Sequence, residues 1–432
     1  MTRPDVFRSH FESLNGSAPD WVRRLRVTGM QRFADLGFPT TRLEDWKYTD
    51  VSRIAETPFR MPANAPNDAA DRVARLACDG AARLVFVNGR YSEPLSSTSS
   101  LPKGARVLPL SRAFEEQDLQ QHLASLADLQ SESFTALNTA FLEDGAYVHI
   151  EKGAIVEAPI NLLFLSSAST DPVASHPRVL IVAEQGSEAA VIEDYAGEGA
   201  YFTNAVTEIV LGADAKIDHY RLQRESAEGF HVGSVDARQE RDSRLRSYSI
   251  SLGGALARIA VNTRLDAEGA ESVFDGLYMA HGRQHVDHHT SIDHRRPRCS
   301  SRELYKGVLD DKATGVFSGK VYVRPDAQKS DAQQMNNNLL LSDDAVVDTK
   351  PQLEIFADDV KCSHGATIGR LDDDALFYFQ SRGIDAKTAR DLLIRGFARQ
   401  LVGRMRSEAA RAQVDKSLEE RWGWASQAEA GA

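Results

Sequence analysis

Cys362 and His364 stand two residues apart, the spacing that brings both side chains to one face of a β-strand. A thiolate beside an imidazole can hold a soft or borderline metal such as iron, copper or zinc, or serve as an activated nucleophile. Two ligands do not close a metal site, so any metal would need donors from elsewhere in the chain or from a second chain. The same pair also fits a small buried thiol next to a hydrogen-bonded histidine. A second candidate is the group His281, His285, His288, His289 and His294, with Asp287 and Asp293 among them. Alternate residues of a strand share a face, so a two- or three-histidine metal site fits this spacing, and so does an ordinary solvated strand face.

The elements that position Cys362 and His364 change character within fifty residues. Gln352-Leu353-Glu354-Ile355 alternates as a strand does. Asp372-Asp373-Asp374 then precedes Leu376-Phe377-Tyr378-Phe379, where acids favour a helix N-terminus, and Gly383 reads as the stop. Asp385 can cap a second helix, in which Leu392, Leu393, Phe397 and Leu401 recur at helical spacing. Strand period gives way to helix period near Gly369, which places a domain boundary there.

Upstream, from Ala146, more than two hundred residues show short β-rich runs and no amphipathic helix. Turn-like tetrads punctuate them: Glu151-Lys152-Gly153-Ala154, Glu184-Gln185-Gly186-Ser187, Leu211-Gly212-Ala213-Asp214, Glu240-Arg241-Asp242-Ser243 and Ala267-Glu268-Gly269-Ala270. A repeat of roughly 25 to 35 residues fits a β-helix better than a propeller, whose blades need about 40. Stacked coils would bury runs such as Val179-Leu180-Ile181-Val182. A solenoid also leaves open ends, whose strand edges must be covered or paired.

The N-terminal part reads as helical over about residues 4 to 36, with Phe7, Phe11, Leu14, Trp21, Leu25, Met30, Phe33 and Leu36 at helical spacing. Arg42-Leu43-Glu44-Asp45-Trp46-Lys47-Tyr48-Thr49 packs two aromatics among charges, as a capped turn anchored by Trp46 would. Pro58, Pro62 and Pro66 mark a linker. Leu84-Val85-Phe86-Val87 runs into Asn88-Gly89, a type I′ hairpin signal, and helical pattern returns between Leu110 and Phe141.

A net charge of −11 and a pI near 5.6 exclude the basic face of a nucleic-acid binder. Cys78, Cys299 and Cys362 are odd in number and far apart, so they form no disulfide framework, and a reducing compartment fits. No apolar run reaches the roughly 18 residues of a membrane span, and the chain reads as cytoplasmic. It has no GxxxxGK[ST] phosphate loop, so any ATP hydrolysis falls to a partner.

Cys362-Ser363-His364-Gly365-Ala366-Thr367, Arg382-Gly383-Ile384, Ala389 and Gly396-Phe397 resemble the C-terminal region of the SufB/SufD family of iron–sulfur cluster assembly scaffolds. The stretch from Arg42 to Thr49, and the one from Phe134 to Asn138 through Pro159-Ile160, resemble earlier parts of the same family. Gly365 stands where the SufB branch typically carries an acid, which favours the SufD branch. The resemblance implies a mainly β fold: a right-handed parallel β-helix core over 141–370, a mixed, mainly helical unit over 1–140 and a helical unit over 371–432. It implies SufB as partner at the C-terminal end of the β-helix and SufC, an ABC-type ATPase, on the C-terminal helices. Candidate SufC contacts are Leu376, Phe377, Tyr378, Arg382, Leu392, Leu393 and Phe397. His364 and Cys362 become candidates to contribute to a nascent cluster or its iron. No cofactor is expected to be tightly bound in the isolated chain, only a transient iron–sulfur cluster or iron in the complex. The chain would be a non-catalytic scaffold, with a homodimer open when it is isolated. The rival reading is a β-helix carbohydrate lyase or hydrolase that uses paired carboxylates along a groove.

Overall fold

The computed structural model describes residues 4–14, 18–61, 68–76, 78–168 and 171–422; Pro62 and Pro66 of the expected linker lie outside them. The strands form two ten-stranded sheets. One runs from Arg90–Tyr91 and Ala82–Val87 to Lys361–Gly369, the other from Ala105–Pro109 to Val346–Ile355. From Glu188 onward successive strands alternate between the sheets and pair in parallel, so each coil stacks on the one before. This is the expected parallel β-helix.

Its corners are the tetrads. Gly153, Gly186, Asp214, Asp242, Gly269, Arg298 and Lys329 all have φ between 55° and 75°, and they follow one another at intervals of 27 to 33 residues. The left-handed conformation is open to Gly at no cost and to Asp at little, which is why Gly or Asp stands at five of these seven corners; Arg298 and Lys329 adopt it at the two later ones against their own preference. Asn88 and Gly89 likewise have φ of 51° and 79°, and Val87 pairs antiparallel with Arg90, as a type I′ hairpin requires.

Strand alternation sorts side chains into a filled interior and an outer face. In Thr314–Val323, Phe317, Val321 and Val323 are fully buried. Arg178–Ala183 is buried at every position because both of its faces are covered. Val179 and Ile181 join the solenoid core, while Leu180 and Val182 meet Val22, Leu110 and Leu119 of the N-terminal region. An unbroken apolar run is the signature of such two-sided cover.

Helices close both outer faces. Near the N-terminus, Asp20–Leu36 packs on Ser133–Ala140. At the other end, Ala386–Val402 and Glu408–Trp422 lay Ile394, Leu401, Val414 and Leu418 on Tyr220, Tyr248, Ile250 and Leu277. In chain order, the short helix Asp373–Ser381 comes between the last strand and these two helices; it is capped by Asp372, whose carboxylate accepts from the Asp374 and Ala375 amides. That helix buries none of its residues.

Candidate functional site

Lys361–Gly369 is the last strand of its sheet and, among the described residues, pairs only with Asp331–Leu340. The register sets Cys362 beside Ala332 and His364 beside Gln334. Neighbours in register point to the same side, and both Ala332 and Gln334 are fully buried in the solenoid. Cys362 and His364 therefore continue the inner row at a level where no further coil stacks. Cys362 is half-buried against the cluster of Val321, Val323 and Ala332, while His364 is exposed.

Burial raises the Cys362 thiol above its ordinary range, so the side chain is a neutral thiol near pH 7. Binding a metal ion would drive that proton off. Beneath His364 the inner row is polar: Gln334 Nε2 donates to Glu303 Oε2 at 2.5 Å. Glu303 is buried, and desolvation pushes its carboxyl up to about 7 despite hydrogen bonds from Thr290 and Gln334. Around the open end, Val346, Ile355, Phe356 and Ile368 are exposed. An unpaired strand edge, an apolar rim and two potential ligands thus share one surface.

The histidine group does not converge. His288 and His294 point inward: His288 lies 5.4 Å from the Tyr278 ring and 5.3 Å from Tyr305, and His294 Nε2 is 2.9 Å from Ser301 Oγ. His285 and His289 point outward, but their face is covered by the segment around Trp46, so it is not the solvated face that alternation alone suggests. Thr49 Oγ1 lies 2.9 Å from His285 Nε2 and donates to Asp287 Oδ2 at 2.5 Å. Arg258 pairs with Asp287 and stacks on the Trp46 ring at 3.9 Å. His281 meets Trp422 edge-on instead. Among the described residues no three His, Cys, Asp or Glu side chains gather as a metal ion would need.

The proposed C-terminal contacts divide. Phe377 is 71% exposed, Tyr378 57% and Leu392 41%, and Arg382 is exposed with its guanidinium 5.3 Å from the Tyr378 ring. Leu376 and Leu393 are half-buried. Phe397 faces the solenoid, with the Lys306 ammonium 3.8 Å from its ring centre.

Two polar sites escaped the sequence reading. Inside the solenoid, Glu193, His219, Arg221, Glu225 and His231 are all buried and joined by polar contacts: Glu193 to His219 and Arg221, Arg221 to His231, and His231 to Glu225. Their signal was charge at inward-row spacing, as in Val191, Glu193, Tyr195 and Ile217, His219, Arg221. On the outer face, Asp236, Asn262, Ser291, Lys320 and Gln352 line a cleft, one residue from each of five neighbouring strands.

Comparison with known proteins agrees along the chain. Residues 164–397 match the family model described as SUF system FeS cluster assembly, SufBD core domain, and residues 4–162 match the SufBD protein N-terminal region. An iron-sulfur cluster assembly SufBD family protein of Synechocystis is 36% identical over 85% of this chain and 84% of its own length. The iron-sulfur cluster assembly protein SufD of Escherichia coli is 33% identical over 89% of each chain. A chloroplastic protein of Arabidopsis thaliana, ABCI7, is 32% identical over 91% of this chain and 84% of its own. With a solenoid core, helical ends and both halves of the chain matched, the protein belongs to the SufBD family of SUF-system iron-sulfur cluster assembly proteins.

Proposed function

We propose that this chain is the SufD-like subunit of a SufB–SufC–SufD scaffold on which iron–sulfur clusters are built in the cytoplasm, and that it is not itself catalytic. The observation that carries this reading is the open end of the solenoid. A second β-helix docked there would pair the edge at Lys361–Gly369, cover Phe356 and Ile368, and add donors to Cys362 and His364. Two ligands from this chain leave a cluster or its iron incomplete, so the metal is cargo shared between subunits. SufC would dock on the exposed side of Asp373–Ser381 and supply the ATP hydrolysis for which this chain has no phosphate loop. The division into units over 1–140, 141–370 and 371–432 follows these roles. The match to SufBD models at both ends leaves the carbohydrate-active alternative without a supporting observation.

His364→Ala tests the shared site. The side chain is exposed, so the substitution should change stability by no more than about 0.5 kcal/mol and leave the assembly intact. The cluster recovered per purified complex, read by iron and sulfide content, should fall to a small fraction of wild type. Wild-type loading would remove His364 from the mechanism.

A further inference from the structure

A cleft of about 390 Å³ lies apart from the open end, between the outer face of one sheet and a wall formed by the segments around Trp46 and Glu132. That volume is in the range of small-molecule sites. Neither Cys362 nor His364 lines it, so its occupancy is separable from cluster assembly.

The cations of the cleft are already engaged. Arg258 is held by Asp287 and stacked on Trp46, and Lys320 Nζ pairs with Glu354 Oε1 at 2.6 Å. The acids are less committed. Asp236 accepts from Asn262 Nδ2 at 2.9 Å through one oxygen, and no ion pair holds Asp45 or Glu132 among the described residues. What the cleft still offers a ligand is therefore acceptor capacity and negative charge, next to the apolar surfaces of Phe134 and Val232. These carboxyls stand on opposite walls and do not gather on one point, so a single metal ion cannot use them together. A ligand whose positive charges are spread along a flexible apolar chain can.

We propose that this cleft binds a small organic polycation of the polyamine class, its ammonium groups meeting Asp236, Glu132 and Asp45 and its methylenes lying against Phe134 and Val232. The electrostatics agree with such a ligand. Desolvation, with the charge of Glu208 nearby, raises the Asp236 carboxyl to about 7, against the opposing effects of Asn262, Ser234 and Arg178. Glu132, exposed at the rim of the cleft, has Arg258, His289, Asp45 and Asp128 as its charged or titratable neighbours. An incoming ammonium favours the ionised carboxylate, so binding releases protons and tightens as the pH rises from 6 to 8.

Isothermal titration of the full chain with spermidine at both pH values tests this. The expected result is one saturable site, several-fold tighter at pH 8, weakened at least tenfold by Asp236→Asn and by Glu132→Gln. The surface control Asp343→Asn should leave it unchanged. Asp236→Asn is isosteric, and Glu132 stands on the exposed rim, so both variants should keep the wild-type circular dichroism. No saturable binding to wild type overturns the proposal. So does equal affinity in wild type and both cleft variants, which would mean only diffuse attraction to an acidic protein.

Discussion

Glu193→Ala should lower the unfolding free energy by about 3–5 kcal/mol, the cost of leaving a buried charge without its partner. Glu193 is fully buried and accepts from Tyr195 Oη at 2.7 Å, Thr207 Oγ1 at 2.8 Å and His219 Nε2 at 3.0 Å, with Arg221 Nη1 at 3.4 Å. The variant strands the Arg221 guanidinium, whose other contacts are neutral: His231 Nε2 at 2.7 Å and the Tyr195 ring at 4.6 Å. Burial alone would raise the Glu193 carboxyl, but His219 and then Arg221 outweigh it and bring it down to about 2. A depressed carboxylate contributes its stability above the ordinary glutamate range and loses it as the pH falls from about 4.5 towards 2. At pH 7 the full loss should therefore appear as a drop in the urea midpoint, with Glu193→Gln losing less. A change under about 1 kcal/mol in the alanine variant would contradict a charged interior.

Asp287→Ala should cost a similar amount, again about 3–5 kcal/mol, but by loosening the N-terminal region. Asp287 is fully buried and joins three elements: Thr49 from the N-terminal segment, Arg258 from the neighbouring strand, and His289 Nε2 at 3.1 Å on its own strand. Desolvation opposes its ionisation, yet Arg258 and then His289 hold it far below the usual aspartate range. Removing it strands Arg258, itself buried under Trp46. Adding Arg258→Leu should then recover part of the loss, because the unpaired charge goes with it. Hydrogen exchange should quicken around residues 44–49 before it does in the strands. Failure of the second substitution to recover any stability would place the cost elsewhere.

Much of the solenoid could be read from the chain because its physics is local. Period-two burial and left-handed corners at Gly153, Gly186 and Gly269 repeat coil after coil, and each is visible within a few residues. The caps Asp372 and Asp385 were legible for the same reason. What could not be read depends on contacts far apart in sequence. Alternation separates His285 and His289 from His288 and His294, but only docking of Thr49, more than two hundred positions away, decides that the outward pair is covered. Glu193 and Arg221 are spaced like any polar residues of a strand, and only register with the coils above and below fixes their row as the inward one. Cys362 and His364 were legible as a pair, whereas their place at an unstacked end is a property of the whole fold.

The C-terminal helices cannot simply be removed to test their role. Ile394, Leu401, Val414 and Leu418 cover Tyr220, Tyr248 and Ile250, so a truncation would expose an apolar face of the solenoid. Phe377 and Tyr378 can be changed without that cost, since their helix buries nothing. The most direct test of the scaffold role is co-purification of the tagged chain with untagged SufB and SufC from the same source, beside the double variant Phe377→Asp/Tyr378→Asp. Wild type should retain both partners, and the variant should keep SufB while losing SufC. Retention of neither partner by wild type, under conditions where all three chains fold, would contradict a role for this protein as a subunit of the assembly.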